Sequence, residues 1–307
     1  MTLPKNKCEW YKLDQDVFPG IKLIYFNVHR RDLEIVELSQ VPQNSFAIVH
    51  CREGRMEVHI GNEYCFISPG DLLIVQASKV SSSVQFPLKH CHGLIVYVDL
   101  EQTPGCFSCI LQGVNAQPRL IAKRFCEDKG YFIARSNPSF EHIFSEMYEV
   151  PNTVRQGYLK IKVLELMLFL RVYEIHDGTA SANHPILLPA QAKLAKAVAK
   201  YLMEHMEERF TLEQAATMFG SSATNIKNCF KAVYGVPFYT FIKAGKMESA
   251  AYMLEYTDKS VTQIAGEHGY DNSGKFASAF RAVKGMSPGE YRQQVQKYDN
   301  GGDVWKT

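Results

Sequence analysis

Two hexapeptides in the C-terminal third say nearly the same thing: F-K-A-V-Y-G at 230–235 and F-R-A-V-K-G at 280–285. Each closes an apolar-periodic run. Each is followed by a turn-rich tail that ends on an aromatic, Phe241 in the first case and Tyr291 in the second. Self-similarity at a fixed offset means two copies of one supersecondary unit. This part of the chain is therefore expected to fold as a tandem of small helical units.

The copies agree in detail. In the first, Thr211 with Gln214 three residues on reads as a capping box. Leu212, Ala215, Ala216 and Phe219 then make a short helix that Gly220 stops. Ser222 caps a second helix carrying Ile226, Phe230 and Val233 at i, i+4 and i+7. In the second copy, Val261, Ile264 and Ala265 precede Gly269. Asn272 caps the next helix, which carries Phe276, Phe280 and Val283 at the same offsets, after a turn one residue longer.

Helix, short glycine-containing turn, helix is the helix-turn-helix pattern. Ala216 and Ala265 permit close helix approach, and the second helix of such a pair fits the DNA major groove. Over 189–298, Lys and Arg outnumber Asp and Glu, whereas over 1–188 they balance. A modestly basic segment suits an anionic partner.

On the first recognition helix the positions flanking the apolar stripe are Thr224, Lys227, Asn228 and Lys231. Lys can donate to guanine and Asn can bond adenine bidentately, so Thr224, Lys227 and Asn228 are candidate base contacts, and Lys231 a phosphate contact. The second helix offers Ser273, Gly274, Lys275 and Ser278 as base contacts, with Arg281 and Lys284 on the backbone. Its small side chains imply weaker direct readout and more reliance on DNA shape.

Residues about 191–295 resemble the DNA-binding domain of the AraC/XylS family of bacterial transcription regulators. The matching segments are T-L-E-Q-A-A-T-M-F-G-S-S-A-T-N-I-K-N-C-F-K-A-V-Y-G-V-P-F, K-M-E-S-A-A-Y-M-L, and V-T-Q-I-A-G-E-H-G-Y-D-N-S-G-K-F-A-S-A-F-R-A-V-K-G-M-S-P-G-E-Y-R. The resemblance implies two helix-turn-helix units on a joining helix, with recognition helices in successive major grooves about 34 Å apart. Lys246 stands where arginine is usual. Gly245 beside it costs about 1 kcal/mol relative to Ala in a helix, which suggests a small hinge.

The N-terminal half reads differently. From about residue 20 to 137, short apolar runs (46–51, 56–60, 64–67, 72–75, 94–100) alternate with turn chemistry, including Gly61-Asn62 and Ser68-Pro69-Gly70-Asp71. Many short, closely spaced strands suggest a barrel or sandwich. The pattern turns helical near Ser139, with Phe140, Ile143, Phe144 and Met147 at helical spacing. A longer helix follows over 156–175, striped by Leu159, Val163, Leu166, Leu170 and Tyr173 and widened by Leu164, Met167 and Leu168. Two readings of that stripe stay open: it covers the barrel, or it forms a dimer seam through Leu159, Val163, Leu166 and Leu170.

The expected class is thus a multidomain α+β chain: a cupin-like, effector-sensing β-barrel over 1–137, a helical dimerisation segment over 138–177, a linker over 178–190, a double helix-turn-helix domain over 191–298 and a flexible tail over 299–307. In AraC-like regulators a β-barrel commonly precedes the DNA-binding domain and senses a small molecule, and S-P-G-D at 68–71 resembles a cupin turn. Metal-dependent cupins carry an early His-x-His. Here His50 and His59 stand apart, so the chain is read as a non-enzyme. His90, Cys91 and His92, followed by Cys106 and Cys109, have zinc-binding residue types and a C-x-x-C spacing. They read equally as strand residues plus a loop cysteine pair, and no metal or cofactor is assigned.

Candidate effector contacts are His50, Arg52, Glu57, His59 and His90, which lie on or beside strands; a sugar, siderophore, fatty acid or aromatic would all suit. The function implied is a ligand-responsive regulator that binds promoter DNA as a homodimer, with RNA polymerase a further partner. The alternative is control by a protein docking on the N-terminal domain. No run of 18 apolar residues occurs and the N-terminus lacks a signal-peptide pattern. With eight scattered cysteines expected to be reduced, the chain reads as cytoplasmic.

Overall fold

A computed structural model of the chain describes residues 10–29, 32–34, 42, 44–103, 117–135, 137–175 and 187–300. They divide into two compact units, Met1–Pro189 and Ala190–Thr307.

The first unit is built on ten antiparallel strands: β1 (Trp10–Phe18), β2 (Ile21–Val28), β3 (Asp32–Glu34), β4 (Ser45–Gly54), β5 (Met56–Ile60), β6 (Glu63–Ile67), β7 (Asp71–Gln76), β8 (Val80–Gln85), β9 (Cys91–Asp99) and β10 (Tyr131–Arg135). They form two sheets, in the orders β1-β2-β9-β4-β7-β10 and β3-β8-β5-β6. The barrel expected from the sequence is therefore a pair of sheets; among the described strands no ladder closes them into one. The chain crosses between sheets at Gly54 and Arg55, where Gly54 takes φ +80° and a side chain would collide with the His90 carbonyl oxygen at 2.1 Å.

Three helices accompany the sheets: α1 (Pro118–Cys126), α2 (Pro138–Tyr148) and α3 (Arg155–Val172). Helix α1 falls inside the region expected to be all β, and β1 begins well before residue 20. Strand β4 explains the continuous apolar runs. Phe46 and Ile48 face the helices, whereas Ala47, Val49 and Cys51 face the second sheet. A strand covered on both faces has no polar alternation to show.

The long-helix stripe is resolved by burial. Leu159, Val163, Leu166 and Leu170 are fully buried against the six-stranded sheet, together with Phe140, Ile143, Phe144 and Met147 of α2. They cover the sheet, so the expected dimer-seam residues are taken up inside their own unit. The exposed apolar side of α3 carries Ile161, Phe169 and Val172 instead. Most of the expected linker lies outside the described residues. Within it, Leu187 is buried and bridges Tyr64.

The second unit is helical: α4 (Pro189–Glu204), α5 (Leu212–Met218), α6 (Ala223–Tyr234), α7 (Phe238–Tyr256), α8 (Val261–Glu267), α9 (Ser273–Lys284) and α10 (Pro288–Asn300). Helix α10 enters the expected tail, of which residues 301–307 lie outside the described set. No described helix is long and apolar enough to cross a membrane.

Candidate nucleic-acid interface

The repeat appears as two matched helix pairs. Thr211 and Ser260 each accept from the backbone of the third following residue, and Gln214 and Gln263 reach back to complete both capping boxes. Ser222 Oγ accepts from Asn225 N at 3.1 Å. Asn272 Oδ1 accepts from Gly274 N and Lys275 N at 2.7 and 3.1 Å. Helices α6 and α9 both end at a left-handed glycine, Gly235 at φ 74° and Gly285 at φ 78°. Such caps fix where each helix begins and stops, and hence which residues each presents.

In α6, Ile226, Phe230 and Val233 are fully buried. Thr224, Lys227, Asn228 and Lys231 are all exposed. Asn225 is half-buried and turned inward, donating to Ser221 Oγ at 2.9 Å. In α9, Phe276 and Phe280 are fully buried, but Val283 is 38% exposed, so the two stripes are not equivalent. Ser273, Gly274, Lys275, Ser278 and Arg281 are exposed.

The cations of this unit sort into two groups. Lys284 pairs with Glu248 of α7 at 2.6 Å, Arg281 with Glu290 at 3.5 Å and Lys259 with Glu267 at 2.8 Å, while Arg209 contacts Asp271. Lys246, which is buried, donates to the Glu208 and His268 carbonyl oxygens at 3.1 and 2.9 Å. Burial lowers its pKa. By contrast, the exposed side chains of Lys193, Lys227, Lys231, Lys243 and Lys275 make no ion pair or hydrogen bond among the described residues. An open groove of about 560 Å³ brings Lys243 of α7 together with Asn272, Gly274, Lys275, Ser278 and Ala279. Lys243 was missed in the sequence, where nothing sets it apart from its neighbours.

Gly245 does not interrupt α7, which runs through it unbroken. A Cβ there would stand 2.8 Å from Met206 Cε, so the glycine makes room for a methionine and the expected hinge is not seen.

The candidate effector residues do not converge. His50 is buried on the helix-facing side of β4, stacked on Phe144 with ring centroids 4.1 Å apart, its Nδ1 3.3 Å from the Tyr148 hydroxyl. Burial pushes its pKa down to about 4, against the pull of Glu141. The Arg52 guanidinium lies over the Tyr148 ring at 4.7 Å and pairs with Glu149 at 3.5 Å. Glu57 and His59 meet each other at 2.6 Å on the opposite sheet. His90 stacks on His29 and sits 3.6 Å from Glu53. The residue that gathers neighbours is Tyr148, which also meets His92 and Tyr25 edge-on and which no sequence pattern marked. Of the candidate metal residues, Cys106 and Cys109 lie outside the described set. Among the described residues no cluster of three or more His, Cys, Asp or Glu forms a metal site.

A family model described as a helix-turn-helix domain matches residues 215–294. The chain is 34% identical over 102 residues to the MmsAB operon regulatory protein of Pseudomonas aeruginosa, covering 33% of each. This segment therefore carries a helix-turn-helix domain similar to that of known transcription regulators. The chain is also 27% identical over 135 residues to an uncharacterised helix-turn-helix-type transcriptional regulator of Staphylococcus aureus, covering 43% of this chain and 18% of that one. Among solved structures it is similar to the DNA-binding domain of AdpA in complex with a target DNA, at 28% identity and a TM-score of 0.33, covering 36% of this chain and 97% of that one. The matched part thus spans a third or less of the length of these curated relatives. In this helical unit, Lys227, Lys231, Lys243 and Lys275 and the polar faces of α6 and α9 make up the candidate interface.

Proposed function

We propose that the chain is a sequence-specific DNA-binding transcription regulator. One observation carries the reading: two similarly capped helix pairs each present a polar, exposed face on a twelve-residue helix, and four unpaired lysines, Lys227, Lys231, Lys243 and Lys275, are found on or beside those two faces. Recognition helices joined by α7 are suited to successive major grooves. Binding-site selection from a random duplex pool tests it; enrichment of one sequence supports the reading, and recovery of an unenriched pool defeats it.

The sheet pair of the first unit is read as a cupin-like sensor, with a small molecule or a partner protein as its signal. The space between the sheets favours the second. It is filled by Val49, Met56, Val58, Ile67, Leu73 and Val84, among others. A hollow of about 520 Å³ by Phe18, Tyr97 and Asp99 lies elsewhere in this unit, as does one of about 210 Å³ by Leu120 and Arg171. A thermal-shift screen of metabolites on the full chain separates the two, since a ligand binding only the folded state raises stability by about 2.7 kcal/mol at a hundred times its Kd. A homodimer is proposed through the exposed side of α3 rather than its buried stripe, and RNA polymerase remains a proposed partner of the DNA-bound form.

A further inference from the structure

We infer that Lys243 of the joining helix and Lys275 of the second recognition helix together form a DNA phosphate-binding cleft, and that this cleft anchors the second unit. The inference rests on the DNA-binding reading above and goes beyond it by moving Lys275 from the candidate base contacts to a phosphate site, on the helix with the weaker base-reading set.

Three observations lead there. The first is availability. Arg281 and Lys284, the cations that the sequence assigned to the backbone, are engaged with Glu290 and Glu248. Using them on DNA means breaking an existing pair. Lys243 and Lys275 are exposed and unpaired among the described residues, so their charge is available at no such cost.

The second is shape. The groove holding both lysines, about 560 Å³, is otherwise lined by Asn272, Gly274, Ser278 and Ala279. These side chains are small and the groove is open, so a phosphate of a DNA backbone can approach both lysines, with the Ser278 hydroxyl as a further donor. The site is not the bare end of α9, because Asn272 Oδ1 already accepts from the Gly274 and Lys275 amides.

The third is position. Helix α7 packs against both α6 and α9. If those two helices occupy successive major grooves, the DNA between them presents its backbone strands to the joining helix. A lysine there meets phosphate, which it holds as a point charge. Such a contact fixes register and carries no sequence information, which suits a unit whose groove-facing residues are Ser273, Gly274 and Ser278.

The test measures affinity against salt concentration for the full chain on two duplexes: the sequence enriched by the wild-type protein and one of unrelated sequence. Each neutralised phosphate contributes about −0.9 to the slope of log K against log salt. Lys243→Ala and Lys275→Ala are each expected to make the slope shallower by about 1 on both duplexes. Repeating the selection with Lys243→Ala should return the wild-type consensus. Lys243→Arg should restore the slope, and Lys243→Gln repeats the measurement without alanine's change in helix propensity. An unchanged slope in Lys243→Ala and Lys243→Gln overturns the inference, as does an altered consensus, which would make Lys243 a base contact. Those results leave the DNA-binding reading standing. A wild-type protein that binds neither duplex defeats that reading and this inference with it.

Discussion

The ammonium of Lys246 donates to the His268 carbonyl oxygen at 2.9 Å, tying the joining helix to the residue that ends α8. A cation at a helix C-terminus complements the partial negative charge there. The same ammonium reaches the Glu208 carbonyl, so one side chain fastens the turn of the second unit to the segment before the first. Lys246→Met keeps the stem and removes the charge. It is expected to lower unfolding free energy by about 2 kcal/mol, the cost of leaving the buried His268 carbonyl unmet, as measured by urea unfolding. Lys246→Arg should retain most of the stability. A Met variant as stable as wild type would show that the clamp contributes nothing.

The two recognition helices should divide the work of reading unequally. Lys227 and Asn228 are exposed and able to bond base edges, whereas Ser273 and Ser278 are short. Lys227→Ala with Asn228→Ala is therefore expected to relax the selected consensus, each lost base contact being worth about 1–3 kcal/mol. Ser273→Ala with Ser278→Ala should leave the consensus largely intact. Equal relaxation by the two pairs would contradict this division.

What could be read from the sequence was what is encoded locally. The capping residues Thr211, Ser222 and Asn272 act within three residues of themselves, so their roles were visible. The strands at 56–60 and 72–75 announced themselves by flanking turns. What stayed hidden was decided at long range. The stripe of Leu159, Val163, Leu166 and Leu170 has the same periodicity whether it meets a sheet or a second helix, and its burial alone separates the two. Lys284 resembled any basic residue late in a recognition helix until Glu248, on another helix, was found beside it. Val233 and Val283 occupy equivalent positions in the repeat, yet one is buried and the other exposed, because burial depends on packing that the repeat does not encode.

Gly245→Ala should stabilise the protein slightly. The substitution gains up to about 1 kcal/mol in helix propensity. The atom it approaches, Met206 Cε at 2.8 Å, ends a flexible side chain that can move aside. Because α7 is continuous through this position, DNA affinity is expected to be unchanged. A loss of affinity alongside a gain in stability would restore the hinge reading.

His50 should make the first unit acid-sensitive. The unfolded chain takes up this proton near pH 6.5 and the folded one near pH 4. Between those values the unfolded state binds more protons, so stability falls as pH drops through the window and is unaffected above it. Glu141, Arg52 and Asp71 are the charged groups that act on the ring. The full shift corresponds to about 3 kcal/mol at the acid end. His50→Gln has no such proton to bind and should flatten this limb, read by hydrogen exchange of β4 amides at pH 6.5 and near pH 4. An acid limb that persists unchanged in the variant would place the sensitivity elsewhere.

The two sides of α3 should respond to mutation in opposite ways. Leu166 is fully buried in the sheet-facing core, so Leu166→Ala is expected to cost about 2–5 kcal/mol of stability. Ile161 and Val172 are 62% and 70% exposed, and converting both to Asp removes no core contact. If the exposed side is the dimer seam, that double variant should sediment as a monomer at concentrations where wild type is a dimer, with its unfolding midpoint in dilute solution little changed. A double variant that still dimerises would move the seam off α3 altogether.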